Sequence, residues 1–357
     1  MHINMKNSAL KRFISLIFVI LLMCSLCACG ESKAYDATIF AMDTTMSLRT
    51  YGKYGEAGLS AASAIIQSLD KMLDPELTTS MVYSINHANG EAVVVSGQIA
   101  KMIETAKTVY DQTGGALDLT LYPLIQLWNI HDGKGYVPND DEISKALSRL
   151  CFDEVILTSF PSSGSYTVSI PDYAQISFAA VAKGCASDYA IEAIKNCGVE
   201  SAVISLGGNV RTLGTKPNGD KWDIAIQDPN DLSSYLGILS VGEAAVVTSG
   251  SYQRYFTDST TGTTYHHIFK PSTGYPATNT LSSVTIVSDD GTLADCLSTA
   301  MFVLGESAAI NYWKEYGADS FEMILVTTDN RVRFTTGLIE QFELTNTTDY
   351  TLDYIHD

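Results

Sequence analysis

Asp295 and Thr299 stand four residues apart in Ala294-Asp295-Cys296-Leu297-Ser298-Thr299, within a stretch whose apolar residues recur at helical spacing. Positions i and i+4 share one helix face, so a carboxylate and a hydroxyl would project side by side. Such all-oxygen donors suit Mg²⁺, which keeps open positions for phosphate oxygens and water. Leu293, Ala294, Leu297, Ala300 and Met301 set the pair beside a buried stripe, although an isolated pair of this kind also fits a solvated face. His266 and His267 lead into a loop bounded by Pro271, Gly274 and Pro276. Adjacent side chains point apart and no Cys or Glu completes a zinc spacing, so one ligand-facing His is expected rather than a zinc pair.

Three small-residue segments could bring backbone or charge to a ligand. Thr113 to Thr120 contains Gly114-Gly115, which permits close backbone approach or, more simply, a helix C-cap followed by a strand. In Ala179-Ala180-Val181-Ala182-Lys183-Gly184, a lysine at a helix start can meet a phosphate or simply sit in solvent. Leu206-Gly207-Gly208-Asn209-Val210 is a strand end breaking into a glycine pair, a common turn.

Elements of both kinds must position these groups. Helices are predicted at Glu56–Leu73, Gln98–Asp111, Ser187–Asn196, Thr292–Leu304 and Ala308–Tyr316. A hairpin is predicted from Val155–Leu157 and Tyr166–Ile170, and a terminal one from Met323–Thr327 and Val332–Phe334 across Asp329-Asn330. Further strands are read at Ala202–Leu206, Trp222–Ile226, Leu236–Leu239, Ala245–Thr248 and Val284–Val287. With no regular βαβ rhythm, an α+β fold of antiparallel sheets and packed helices is expected.

The 357 residues are 46% hydrophobic and 17% charged, ample for a packed core and inconsistent with disorder. A net charge of −18 argues against a nucleic-acid partner. Lys6, Lys11 and Arg12 precede an apolar run, Phe13–Met23, that is shorter than the ~20 residues a spanning helix needs. With Leu26-Cys27-Ala28-Cys29 behind it, residues 1–28 read as a lipoprotein signal peptide and Cys29 as the lipidated first mature residue; an ordinary signal peptide is the alternative. This expectation places the mature protein on the extracytoplasmic face of the cell membrane. It carries a charge of −21, joined through a polar tether (residues 29–37) to a domain over 38–335, with an acidic, solvated tail at 336–357. Cys151, Cys185, Cys197 and Cys296 show no metal or redox spacing and read as small core residues.

In series, the chemical segments resemble the ApbE-type FAD:protein FMN transferases. The resemblance is carried by Met42-Asp43-Thr44-Thr45-Met46, Gly114 to Asp118, Pro123-Leu124 through Trp128, Ala182-Lys183-Gly184 and Leu206 to Val210. It continues through Thr248-Ser249-Gly250, Tyr252 and Arg254, then His267-Ile268 through Gly274, and finally Asp295 with Thr299. It implies an ApbE-like (T-fold-related) architecture, FAD as substrate and Mg²⁺ on its diphosphate. FMN would pass through a phosphoester bond to a Thr or Ser hydroxyl of an exported or membrane flavoprotein, with release of AMP. By the same resemblance, Asp295, Thr299 and the Ala180 carbonyl are the metal ligands. Ala116, Leu117 and Asp118 line the flavin nucleotide site, Met42 and Ile268 pack against it, and Lys183 adds positive charge. His267, or Asp295 in a double role, takes the acceptor proton.

The chain departs from the family pattern at three positions. Ser177 occupies the nucleotide-contact position where the family usually has Asp, and Lys270 replaces the Asp of a His-Ile-x-Asp-Pro run. Asp43 stands where Gly is frequent. Two other functions share the same residues: an Mg²⁺-dependent FAD pyrophosphatase giving FMN and AMP, and a non-catalytic flavin-binding lipoprotein.

Overall fold

The computed structural model describes residues 32–130, 133–317 and 320–356. The signal segment and Cys29 lie outside the described residues. Among those residues no helix is long and apolar enough to cross a membrane.

The first element is not a tether. Ala34–Ala41 (β1) alternates exposed and part-buried residues and pairs antiparallel with Thr44–Tyr51 (β2), Ala41 opposite Thr44. The two-residue connection, Met42-Asp43, has φ of 49° and 56°. Positive φ at both positions is the geometry of the tight hairpin turn that matches strand twist and that normally selects Asn-Gly. A Met and an Asp hold it here against the steric cost of the left-handed region.

Helix α1 (Gly55–Leu73) buries Ala62, Ile66, Leu69 and Leu73 at helical spacing, as predicted. Short α2 (Met81–Asn86) and β3 (Val93–Val95) lead to α3 (Gly97–Thr113), which buries Ile99, Met102, Ile103, Ala106 and Val109. Two peripheral helices follow, α4 (Tyr122–Trp128) and α5 (Asp140–Leu147). The predicted hairpin is β4 (Ile156–Phe160) with β5 (Ser165–Ser169), and β3 completes a three-stranded sheet. Helix α6 (Ala182–Asn196) begins five residues before the predicted Ser187, because its N-cap, Val181, supplies no side-chain cap that would have marked the start.

Strands β6 (Ala202–Leu206), β7 (Asn209–Leu213), β8 (Trp222–Gln227), β9 (Tyr235–Val241) and β10 (Ala245–Gly250) follow, then a small hairpin of β11 (Tyr255–Thr257) and β12 (Thr264–His266). β13 (Leu281–Ser288) is buried along all eight residues, as a strand covered on both faces must be. It feeds α7 (Gly291–Leu304) and α8 (Glu306–Tyr312). The predicted helix to Tyr316 instead ends in a π turn over Trp313–Gly317.

β14 (Glu322–Thr327) and β15 (Arg331–Thr335) form the predicted hairpin, but it is not terminal. The segment expected to be a solvated tail contributes β16 (Phe342–Leu344), antiparallel to β9, and β17 (Thr351–Ile355), parallel to β15. Tyr350 is 4% exposed and donates its hydroxyl hydrogen to buried Asp228. Burial of Phe342, Tyr350 and Ile355 holds this segment in spite of its acidic flanks.

The main sheet has nine strands in the order β1-β2-β6-β7-β10-β13-β14-β15-β17, every pairing antiparallel except the last. The α+β expectation holds. One large core gathers α1, α3, α6 and α7 against the sheet. A second joins β8, β9 and β16 to residues of β13, β14 and β15. A third, aromatic one packs Trp128 and Phe269 with α4 and α5.

Candidate active site

A partly open cleft lies where α3 ends, α6 and α7 begin to cross, and β6, β7 and β10 meet the loops around them. Gly114, at φ 62°, caps α3 and donates its N–H to Tyr110 O. The chain then turns so that Ala116, Leu117 and Asp118 line the cleft. The C-cap holds, but the strand expected after it does not form: a tight helical turn at Leu119–Leu121 and helix α4 follow. Asp118 Oδ1 accepts from both the N–H and the hydroxyl of Thr120, each at 2.6 Å, and burial raises its pKa. Ser177 reaches the same wall because its N–H donates to Leu119 O at 2.8 Å.

The floor is helical. Asp295 and Thr299 both face the cleft, as their i, i+4 spacing requires. Asp295 is 4% exposed and accepts a 2.8 Å hydrogen bond from Gly184 N–H. Burial raises its pKa, while the Lys183 charge, the Gly184 amide and the nearby Asn209 amide act in the opposite direction. Ala180 and Lys183, beside the start of α6, also line the cleft, and Thr299 Oγ1 lies 3.5 Å from Ser249 Oγ.

The two histidines part ways. His266 is consumed by the backbone: Nε2 meets Ala277 O at 3.0 Å and Nδ1 accepts from Ile268 N–H at 3.2 Å. His267 lines the cleft with Ile268. Its Nδ1 lies 3.1 Å from Arg254 O, and since a carbonyl only accepts, Nδ1 carries the proton and Nε2 keeps the lone pair. Burial, and then the Lys183 charge, push the His267 pKa down to about 3, so the ring is neutral at physiological pH.

Met42 is not part of the cleft lining. It sits in the strained turn, its N–H on Asp70 Oδ1 at 2.6 Å. The turn is nonetheless one residue layer away: Arg254 donates to Asp43 O at 3.0 Å, and a Cβ on cleft-lining Gly207 would lie 2.5 Å from Thr44 Oγ1. Lys270 is exposed and contributes backbone to the Lys270–Tyr275 turn, so replacement of the family's Asp there leaves the lining unchanged. Ser177 does face the cleft, and that departure is therefore one of the site itself.

Sequence reasoning named the Leu206 to Val210 motif without assigning its residues. Asn209 is 2% exposed and lines the cleft; its Nδ2 makes no hydrogen bond of normal geometry but stands close enough to the Asp295 carboxylate to favour its ionised form. A buried amide donor held so loosely beside a cavity is free to meet a ligand acceptor. The signal was present in the sequence, as a polar residue placed directly after a glycine pair at a strand end. Thr248, Ser249 and Gln253 also line the cleft.

The donor set fits a hard cation. Asp295 is a nearly dry carboxylate with one backbone donor, and the Thr299 hydroxyl and Ala180 line the same cleft, so oxygen donors of the kind such a cation takes are at hand. Among the described residues no group of three or more His, Cys, Asp or Glu converges.

Residues 42–324 match the model of the ApbE family. A protein named FAD:protein FMN transferase from Treponema pallidum (strain Nichols) is 31% identical over 344 residues, covering 90% of this chain and 93% of the relative. One of the same name from Klebsiella pneumoniae (strain 342) is 33% identical over 278 residues, 77% and 84% of the two chains. The crystal structure of the ApbE protein from Thermotoga maritima superposes with a TM-score of 0.75 at 28% identity, covering 84% of this chain and 96% of that one. The apo flavinyl transferase ApbE of Pseudomonas stutzeri gives 0.72 at 25% identity, with 89% and 96% covered. The fold is that of the ApbE flavin transferases. The chain belongs to the ApbE family.

Proposed function

We propose that the protein moves FMN from FAD to a Thr or Ser hydroxyl of an acceptor flavoprotein, with Mg²⁺ bound at Asp295, Thr299 and the Ala180 carbonyl. One observation carries this reading: a single cleft gathers the buried Asp295–Thr299 pair, Lys183, the neutral His267 and the Ala116–Asp118 wall. The acceptor oxygen attacks the FMN phosphorus, forming a phosphoester bond. The bond from that phosphorus to the bridging oxygen breaks, and AMP leaves with the electron pair. Bound to those oxygens, Mg²⁺ supplies positive charge to the diphosphate.

The protein's own side chains do the rest. Lys183 adds a second charge in a molecule that is otherwise strongly acidic. Asn209 Nδ2 donates to a diphosphate oxygen. His267, fixed by Arg254 O, offers Nε2 to the acceptor proton, and the arriving negative charge of FAD offsets the low basicity that burial imposes. Ile268 and Leu117 exclude water around the flavin nucleotide. Cys29 carries the lipid that holds the mature protein on the extracytoplasmic face, where an exported or membrane flavoprotein is its acceptor.

The test is a mass spectrum of a candidate acceptor after incubation with the protein, FAD and Mg²⁺. Transfer predicts an FMN adduct on a Thr or Ser, one AMP per adduct, and no adduct without divalent metal. Free FMN and AMP alone would make the protein a pyrophosphatase, and intact FAD would make it a binder.

A further inference from the structure

Helices α6 and α7 cross without room for a methyl group. A Cβ on Gly184 would lie 2.1 Å from Gly291 O and 2.6 Å from Asp295 Cβ, and one on Gly291 would lie 2.6 Å from Ser187 Oγ. At this crossing Gly184 N–H holds Asp295 Oδ2. One turn along α6, Asp188 meets the first turn of α7. Its Oδ1 accepts from Gly291 N–H at 2.8 Å, and its Oδ2 from Thr292 N–H at 2.9 Å and Thr292 Oγ1 at 2.7 Å. Lys101 of α3 clamps the assembly, its Nζ lying 3.2 Å from both Asp188 Oδ2 and Asp290 Oδ2. Arg211 Nε stands behind, 3.7 Å from Asp188 Oδ1.

This is more than helix capping. Asp290 is already the N-cap of α7 and takes the Leu293 N–H at 2.9 Å. Asp188 takes the two remaining first-turn amides from another helix, and so fixes where α7 lies along α6. Asp295 is one turn beyond Gly291 on the same face. Sliding α7 by one residue rise, about 1.5 Å, would break the Asp188 bonds and carry Asp295 and Thr299 away from Ala180.

We infer that Asp188, steadied by Lys101, is a positioning residue that sets the metal-binding geometry of Asp295 and Thr299 from outside the cleft. This rests on the metal reading of the cleft. An outer partner that orients a ligand typically governs metal affinity by ten- to a hundredfold.

The experiment measures Mn²⁺ binding by electron paramagnetic resonance and the Mg²⁺ dependence of melting, with wild type, Asp188→Asn and Asp295→Asn in parallel and binding read far below the melting temperature. Asn keeps the shape but turns an N–H₂ toward donors. The expected result is a dissociation constant for Mn²⁺ raised at least tenfold in Asp188→Asn, with kcat recovered at high Mg²⁺ and the FAD KM at saturating metal unchanged. A purely structural Asp188 would lower the melting temperature and leave metal affinity alone, and that result overturns the inference. Metal binding in wild type that Asp295→Asn does not weaken would overturn the metal reading first, and the inference with it. Should Asp188→Asn not fold, Lys101→Met decides: weakened Mn²⁺ binding, by about threefold, supports the inference, and wild-type binding refutes it.

Discussion

The cleft and the second core, built from β8, β9 and β16 under the main sheet, are made by opposite rules. In the second core Trp222, Ile224 and Ile226 alternate inward along β8, Leu239 and Phe334 are essentially dry, and the pattern of apolar residues accounts for the packing. In the cleft the chain breaks such rules repeatedly. Two non-glycine residues stand at positive φ nearby, a carboxylate is buried with one backbone donor, an amide nitrogen has no hydrogen bond of normal geometry, and a histidine is held neutral. Departures of this kind cost stability and persist where function uses them. The difference teaches where substitutions should split activity from stability.

The sharpest break is Asp295→Asn. Turnover should fall by roughly 10³-fold or more, the loss expected when several kcal/mol of charge stabilisation disappears. Removing a carboxyl whose folded pKa lies above its unfolded one takes away a penalty that grows as pH rises from about 4 through the folded value. The metal-free variant should therefore melt at or above wild type at pH 7, and Mg²⁺ should no longer raise its melting temperature. A lower melting temperature without metal would show that the comparison is misdrawn.

His267→Ala comes next. FMN transfer should drop about 10²-fold or more while the FAD dissociation constant, measured by flavin fluorescence, stays within a factor of two or three. Unchanged turnover would remove the residue from its role. The same histidine has a folded pKa of about 3 against 6.5 unfolded, so it contributes stability that is complete above pH 6.5 and is lost as pH falls toward 3. Denaturant midpoints across that range should fall less steeply for the alanine variant than for wild type.

Asn209→Ala should raise the FAD KM about tenfold, one lost hydrogen bond to a charged acceptor, with a small change in melting because Nδ2 makes no hydrogen bond of normal geometry to the protein. Smallest in activity is Leu239→Ala in the second core: stability should fall by about 2–5 kcal/mol while kcat/KM at low temperature stays near wild type. If Leu239→Ala cost more activity than Asn209→Ala, the two regions would not be separable in the way described.

Much of this was legible in the sequence, and the rest failed for identifiable reasons. The Asp295–Thr299 pair could be read because its spacing alone fixes a shared helix face, and β6 because its apolar run is bounded by a glycine pair. β1 was missed because its turn carries Met42-Asp43 where a reader looks for Asn-Gly. The early turn of α6 was missed for want of a cap, and β16 and β17 because three- to five-residue strands are specified by their partners, not by their own sequence. Asp188 looked like any polar residue on a helix; only the crossing with α7 shows what its oxygens hold.

The nine-stranded sheet has its two borders, β1 and β17, drawn from segments more than 300 residues apart. As the chain emerges, β15 must wait with its outer edge open until residues 351–355 are available, because Arg331 pairs opposite Thr351. A chain interrupted in that interval would present an unpaired edge to its neighbours, so late truncations should associate edge to edge before they lose any part of the cleft.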